Sequence, residues 1–309
     1  MSAFPLPGSG RAAVCAPAPG PGTGFWAGSP GAALDPDGGV VLAYRVRMGT
    51  GEKDGAQTIV ARSDDGETFT TVATLDKSRF AAMSMERPAI ARTEDGGWRL
   101  YVCCATPRSK HWWISLLEAD EPEQLAEADD RIVFAGDETV AVKDPIVRRA
   151  GAGWEAWICC HPLEEPDEED RMTSAYATSA DGITWEWQGT VLTPRRGTWD
   201  ARGTRLTAVL ADGRAAYDGR ATKEENFSER TGLAVPRAAA APAEPGVRDA
   251  PDAPDAPERA ALTRLGDRPL ADARYLDVLE LPGGGHRLYY EAPLPDGSHE
   301  LRTELIPAA

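Results

Sequence analysis

Six carboxylates and seven basic side chains recur at comparable places along the chain. They are Glu86, Asp144, Asp200, Asp218, Asp277 and Glu291, set among Arg45, Arg47, Arg87, Lys143, Arg202, Arg205 and Arg220. Glu86 stands next to Arg87 and Asp144 next to Lys143. Asp200 and Asp218 each precede an Arg by two residues. Charges gathered in a closed space must pair with one another or bind something, because an isolated buried charge is too costly. Paired carboxylates can also exchange protons with a substrate. The surplus of Arg points to an anionic ligand group, a phosphate or a carboxylate, which the guanidinium fork recognises well. His161 is suited to donate to a ligand hydroxyl or phosphate, and equally to a hydrogen bond within the fold.

An internal repeat supplies the elements that would bring these residues together. Pro30, Pro88 and Pro145 lie 58 and 57 residues apart, each opening a similar unit. Glu86-Arg87-Pro88 leads to Trp98-Arg99-Leu100-Tyr101-Val102-Cys103-Cys104. Lys143-Asp144-Pro145 leads to Trp154-Glu155-Ala156-Trp157-Ile158-Cys159-Cys160. Each reads as a strand, a Gly turn and a returning strand. A further step of 57 residues reaches Arg202, and a last copy begins near Arg274. The outer half of the unit also repeats: Ser63 to Phe69 and Ser179 to Trp185 both fit Ser-x-Asp-Gly-x-x-aromatic. There the Asp bonds nearby backbone and the aromatic anchors the next strand.

Five such units predict an all-β, five-bladed β-propeller spanning 1–309 as one domain. Blade starts are expected at 29, 86, 143, 200 and 274. The long fourth interval contains a stretch rich in Ala, Pro and Asp, about 237–262, read as a surface insertion. In a propeller, the start of each first strand and the end of each second strand share one mouth. That geometry gathers the charged residues above. Further polar stretches at 110–113, 169–172 and 223–230 lie just beyond it.

A net charge of −16 argues against nucleic acid as a partner. No stretch approaches the apolar length of a membrane span. The first residues lack a Lys- or Arg-led apolar run, so no secretory signal is read. The five cysteines include two adjacent pairs, Cys103-Cys104 and Cys159-Cys160. Neighbouring residues of a strand point to opposite faces, so buried free thiols are expected, and with them a cytoplasmic location. No Cys and His spacing suggests zinc, and neither metal nor cofactor is expected.

Three features resemble the five-bladed propellers of glycoside hydrolase families 43 and 32, and more distantly the family 130 phosphorylases. They are Lys143-Asp144-Pro145, Glu86-Arg87-Pro88 with its Tyr-containing strand, and the paired Ser-x-Asp-Gly turns. The resemblance implies an enzyme cleaving a small glycoside with inner-strand carboxylates. It would make Glu86 the general acid, Asp144 the carboxylate that orients substrate and tunes the acid, and Asp200, Asp218 or Asp277 the base or nucleophile. Those families open the first blade with an Asp, where this chain has Gly28-Ser29-Pro30. A non-catalytic sugar-binding propeller and a glycoside phosphorylase are therefore the alternatives. A third is a scaffold whose charges only pair between blades.

Overall fold

The computed structural model describes residues 3–49, 56–237 and 261–308. The expected insertion at 237–262 lies outside the described residues except at its ends. The chain is all-β, built of antiparallel hairpins in sequence order. The first strands are β1 (Ala13–Ala16), β2 (Trp26–Leu34), β3 (Val40–Arg47), β4 (Gln57–Ser63) and β5 (Thr70–Asp76). A four-stranded sheet follows from β6 (Ala89–Arg92), β7 (Trp98–Ala105), β8 (Trp112–Ala119) and β9 (Asp130–Phe134). The next is β10 (Val140–Ala150), β11 (Gly153–Pro162), β12 (Thr173–Ser179) and β13 (Glu186–Leu192). Then come β14 (Gly203–Val209), β15 (Ala215–Arg220), β16 (Arg230–Pro236) and β17 (Leu262–Arg264). The last strands are β18 (Arg274–Glu280), β19 (His286–Pro293) and β20 (His299–Ile306). They join β2 to β5 through one parallel pair, Trp26 with His299, while β1 pairs with β20. These sheets are consistent with a β-propeller. The first strand of each hairpin set packs on the next: β2 on β6, β6 on β10, β10 on β14, β14 on β18, and β18 on β2.

Second strands are buried on both faces, as a sheet layered between two others requires. In β7 every residue from Trp98 to Ala105 is buried. Its side chains divide between two cores. Leu100, Val102 and Cys104 join Val41, Val60 and Ile90, whereas Tyr101 and Cys103 join Ile114, Val142 and Ile158. Cys103 and Cys104 thus face different sheets, and all five cysteines are free. Among the described residues no helix is long and apolar enough to cross a membrane.

The Ser-x-Asp-Gly turns bolt neighbouring sheets together. Tyr101 Oη donates to Gly182 O at 2.9 Å, and Tyr289 Oη donates to Gly66 O at 3.0 Å. The turn aromatics Trp185 and Phe69 pack edge-on against the same tyrosines. Asp181 Oδ1 accepts from the amides of Ile183 and Thr184, both at 2.8 Å. Gly182 has φ of 71°, and a Cβ there would lie 2.2 Å from Arg99 Nη1 and 2.9 Å from the Trp154 ring. Gly182→Ala should therefore destabilise the fold by more than about 1 kcal/mol in urea denaturation. An unchanged midpoint would show that the turn is not a bolt.

Candidate functional site: a cationic cavity

The register of each first hairpin decides which side chains meet. β10 and β11 pair Lys143 with Cys159 and slip by one residue before Ile146 meets Trp157. β2 and β3 slip between Gly28 and Gly31, and β18 and β19 between Arg274 and Asp277. These β-bulges re-aim the residues before them. Ser29, Asp144 and Tyr275 stand at equivalent bulge positions with φ of 54°, 51° and 51°. Left-handed backbone at non-glycine residues is costly, and its recurrence marks a constraint shared by the repeated hairpins. The residues just before the bulge are Gly28, Lys143 and Arg274. Glu86 stands at the matching step of its unit, one residue before Arg87-Pro88.

In the fourth unit β14 pairs Arg205 with Asp218 and Leu206 with Tyr217 before it slips between Leu206 and Ala208, so the bulge comes one residue later than in the others. Arg205 is the β14 residue that reaches the cavity. The 57-residue spacing leads to Asp200 and Arg202, which lie in the turn before β14 begins at Gly203. Asp200 is not brought to the cavity. Its carboxylate accepts from Arg195 Nε at 3.2 Å, Arg264 Nε at 2.6 Å and Tyr217 Oη at 3.1 Å, and from the Thr198 hydroxyl. These contacts pin the turn that precedes β14.

A cavity of about 360 Å³ opens where the bulged strand starts converge. The first strands send Glu86, Lys143, Arg205, Arg274 and Tyr275 to it. The second strands send Arg45, Arg47, His161 and Arg220. Loops complete the wall with Lys110, Glu169, Asp170, Lys223, Phe227 and Glu229, and Trp112 and Met172 add apolar surface. Eight Lys or Arg side chains thus face four carboxylates, in a protein whose net charge is −16.

An ion-pair lattice fixes this wall. Arg45 grips Glu86 and reaches Glu291 at 2.9 Å; Arg47 lies 3.9 Å from Glu86. Arg205 donates to Asp218 at 2.6 Å, Asp144 at 3.3 Å and Tyr275 Oη at 2.8 Å. Arg220 and Arg274 each hold Glu229 at 2.7 Å, and Arg274 also holds Glu291. Burial alone would raise the Glu229 carboxyl, but Arg274, Arg205 and Arg220 hold it down at about 2. Burial likewise opposes ionisation of Glu291, and Arg274 and Arg45 outweigh it, keeping the carboxyl well below its ordinary value. Asp218 goes the other way: burial raises it despite Arg205.

Several expected site residues serve this lattice from behind the cavity wall. Asp144 Oδ1 accepts the Arg87 amide at 3.2 Å, and Asp144 Oδ2 lies 3.7 Å from Lys143 Nζ. Arg87 donates to Pro30 O at 2.8 Å and Asp277 at 2.9 Å, tying three hairpins together. Asp277 also accepts the Ala32 amide at 2.9 Å, and burial raises its carboxyl. Arg202 holds Asp170 and reaches Glu168 at 2.9 Å, anchoring the loop before β12. Glu291 fills the space over Gly28, where a Cβ would fall 2.1 Å from its Oε2.

Sequence reasoning did not single out Tyr275, placed Arg274 only as the start of the last unit, and reached Glu229 only within the polar stretch 223–230. Arg274 and Tyr275 occupy the position just before and at the bulge, so aligning on Lys143-Asp144 would have found them. Glu229 comes from a loop, whose reach no spacing reveals.

His161 carries its own signal. Its Nδ1 donates to Glu169 O at 2.7 Å, and its buried Nε2 has no protein partner. Burial, reinforced by Lys143, pushes its pKa well below the ordinary 6.5. The ring is therefore neutral, with a lone pair on Nε2 available to a ligand hydroxyl. In the unfolded chain His161 protonates near pH 6.5; in the fold it does so only at lower pH. Its contribution to stability is complete above that pH and declines as the pH falls below it. His161→Gln should flatten the stability profile on the acid side of 6.5, measured by urea denaturation across pH. A slope identical to the wild type would contradict this assignment.

Among the described residues no three His, Cys, Asp or Glu side chains converge as a metal site does. The fold and cavity thus define an all-β protein that presents a cationic, carboxylate-laced site at the converging ends of its inner strands. No family model matches the sequence, and no curated protein is significantly similar to it. Solved structures do share the fold. β-1,2-Mannobiose phosphorylase from Listeria innocua is 14% identical with a TM-score of 0.60, over 98% of this chain and 93% of that one. α-L-Arabinofuranosidase from Lactobacillus brevis is 16% identical with a TM-score of 0.61, over 90% of each chain. A structure described as a glycoside hydrolase is 13% identical with a TM-score of 0.67, over 97% and 92%.

Proposed function

We propose that the chain is a single five-bladed β-propeller of the glycoside hydrolase kind, acting on a small sugar or glycoside that carries an anionic group. Membership of the group that includes families 43, 32 and 130 is part of this reading. The cavity's charge carries it: eight basic side chains and a neutral His161 face four carboxylates. Arg45, Arg205, Arg220 and Arg274 are committed to buried carboxylates. Arg47 and Lys143 are held less closely, at 3.9 and 3.7 Å from their partners, and with Lys110 they offer the anion site.

A sugar hydroxyl donates to His161 Nε2. Glu86 is the cavity carboxylate placed to meet the glycosidic oxygen. In this reading Glu86 serves as the general acid toward the leaving group, while the ligand's anion takes up Arg47. Asp144, behind the wall, orients Lys143 and Arg205.

A second reading, phosphorolysis, rests on the first hairpin. The space over Gly28 is taken by Glu291, which is wholly engaged by Arg45, Arg274 and His299. Phosphate attacking the anomeric carbon needs no carboxylate there, and the cationic wall would hold it.

The test is calorimetry with glucose, glucuronate and glucose 6-phosphate, followed by incubation with disaccharides with and without phosphate. The anionic sugars should bind at least about tenfold more tightly at low salt, with the gap narrowing as salt is added. Equal affinities would overturn the anionic-ligand reading. Sugar 1-phosphate as product would select phosphorolysis, free sugar hydrolysis, and binding without turnover of any disaccharide a sugar-binding propeller.

A further inference from the structure

A second cavity, about 450 Å³, lies between the outer strand of one sheet and the face of the next. Phe134 of β9 forms one side. Trp185 and Trp187, at and within the β13 hairpin arm, form the other. Phe134 stacks on Trp185 with centroids 5.2 Å apart and meets Trp187 edge-on at 5.5 Å. Trp187 is 49% exposed, and Ile132, two residues from Phe134 on the same strand, is 58% exposed. A large aromatic left half open to solvent beside a concavity is not explained by core packing.

The polar groups of the cleft are few. Among the described residues Asp137 is the one charged residue in its lining, and its Oδ1 is spent on the amides of Thr139 at 2.7 Å and Val140 at 2.9 Å and on the Thr139 hydroxyl. The Trp185 Nε1 donor is buried without a protein acceptor. An indole N–H can only donate, and a buried donor without an acceptor is costly. Thr173 and Thr190 line the same wall. An exposed indole face, one unanswered donor, two threonines and a single carboxylate at the rim suit a ligand with apolar C–H faces and hydroxyl edges. That is an uncharged sugar ring.

The position adds to the argument. β11 sends His161 to the cationic cavity and Cys160 to the cleft; β12 is entered through Met172, which lines the cavity, and Thr173, which lines the cleft. Adjacent residues of an extended chain point to opposite sides. The two concavities therefore flank the same strand ends.

We propose that this cleft is a second carbohydrate-binding site, which takes a neutral sugar ring stacked on Trp187 with a hydroxyl oxygen on Trp185 Nε1. It holds a glycan beside the cationic cavity. The site does not depend on the function proposed for that cavity.

The test is native affinity electrophoresis of the whole protein in gels containing yeast mannan, xylan or barley β-glucan. The wild type should be retarded in at least one gel. Trp187→Ala should weaken that retardation at least about tenfold in apparent affinity, as loss of a stacking platform does. Trp185→Phe keeps a ring but removes the donor, and should weaken it as well. Leu305→Ala, at an exposed residue that lines neither concavity, should leave it unchanged. Thermal melts establish that each variant is folded; Trp187, half exposed, is the variant least exposed to that problem. Absence of retardation in all three gels would overturn the proposal. So would a Trp187→Ala protein retarded like the wild type, or retardation lost with Glu86→Gln alone, which would place the glycan in the central cavity.

Discussion

Arg274→Met should lower the stability of the protein by about 3–5 kcal/mol, the scale of breaking a buried ion pair from one side. Arg274 is 3% exposed and bridges Glu229 and Glu291, which are themselves 3% and 0% exposed. Removing it leaves two buried carboxylates short of a cation. Met fills much the same volume, so the loss reports charge rather than a cavity. Adding Glu229→Gln should restore part of the loss, because the orphaned charge goes with it. Urea denaturation followed by tryptophan fluorescence measures both variants. The acid side gives a further check. The Glu229 carboxyl is depressed from 4.5 to about 2, so its pairing contributes fully above 4.5 and is lost as the pH falls from there toward 2. The gap between wild type and Arg274→Met should shrink over that window. A variant as stable as the wild type at neutral pH would mean that Glu229 and Glu291 find other partners.

Glu86→Gln is the sharpest functional test. If Glu86 gives the proton, the variant should lose about 10²–10⁴-fold in kcat on disaccharides. Ligand affinity should hold, because Gln keeps the shape and Arg45 retains Glu291 at 2.9 Å. The neutral amide also releases Arg47, which can then serve the ligand's anion. Turnover within about twofold of the wild type would remove Glu86 from the chemistry. Should the wild type bind anionic sugars yet turn over none, the site is a binding site and the substitution should alter affinity alone.

Much of the architecture could be read from residue types. The strand pairs from Trp98 to Cys104 and from Trp154 to Cys160 are local patterns, and hydrophobic alternation with Gly turns suffices to place them. The Ser-x-Asp-Gly turns were legible for the same reason: Asp65 and Asp181 bond amides two and three residues away. The separation of Cys103 from Cys104 follows from strand geometry alone. The candidate site was legible in part. Glu86, Lys143, Arg205, Arg45, Arg47, Arg220 and His161 line one cavity because strand ends at equal steps of a repeat come together.

The rest depended on tertiary structure. Asp200 and Arg202 were reached by counting along the repeat, whereas the pairing of Arg205 with Asp218 sets which β14 residue meets the cavity. Asp144, Asp218 and Glu291 pair with guanidinium groups behind the cavity wall, which is decided by bulges and by partners tens to hundreds of residues away. Glu229 and Phe227 enter from a loop whose course has no periodicity. By itself, then, the sequence determined the hairpin repeat, its turns and the kind of residue offered at each strand end, since these rest on contacts within a few residues. The tertiary structure decided which of those charges lie open and which are spent on one another, since that depends on distances between strands no local pattern encodes.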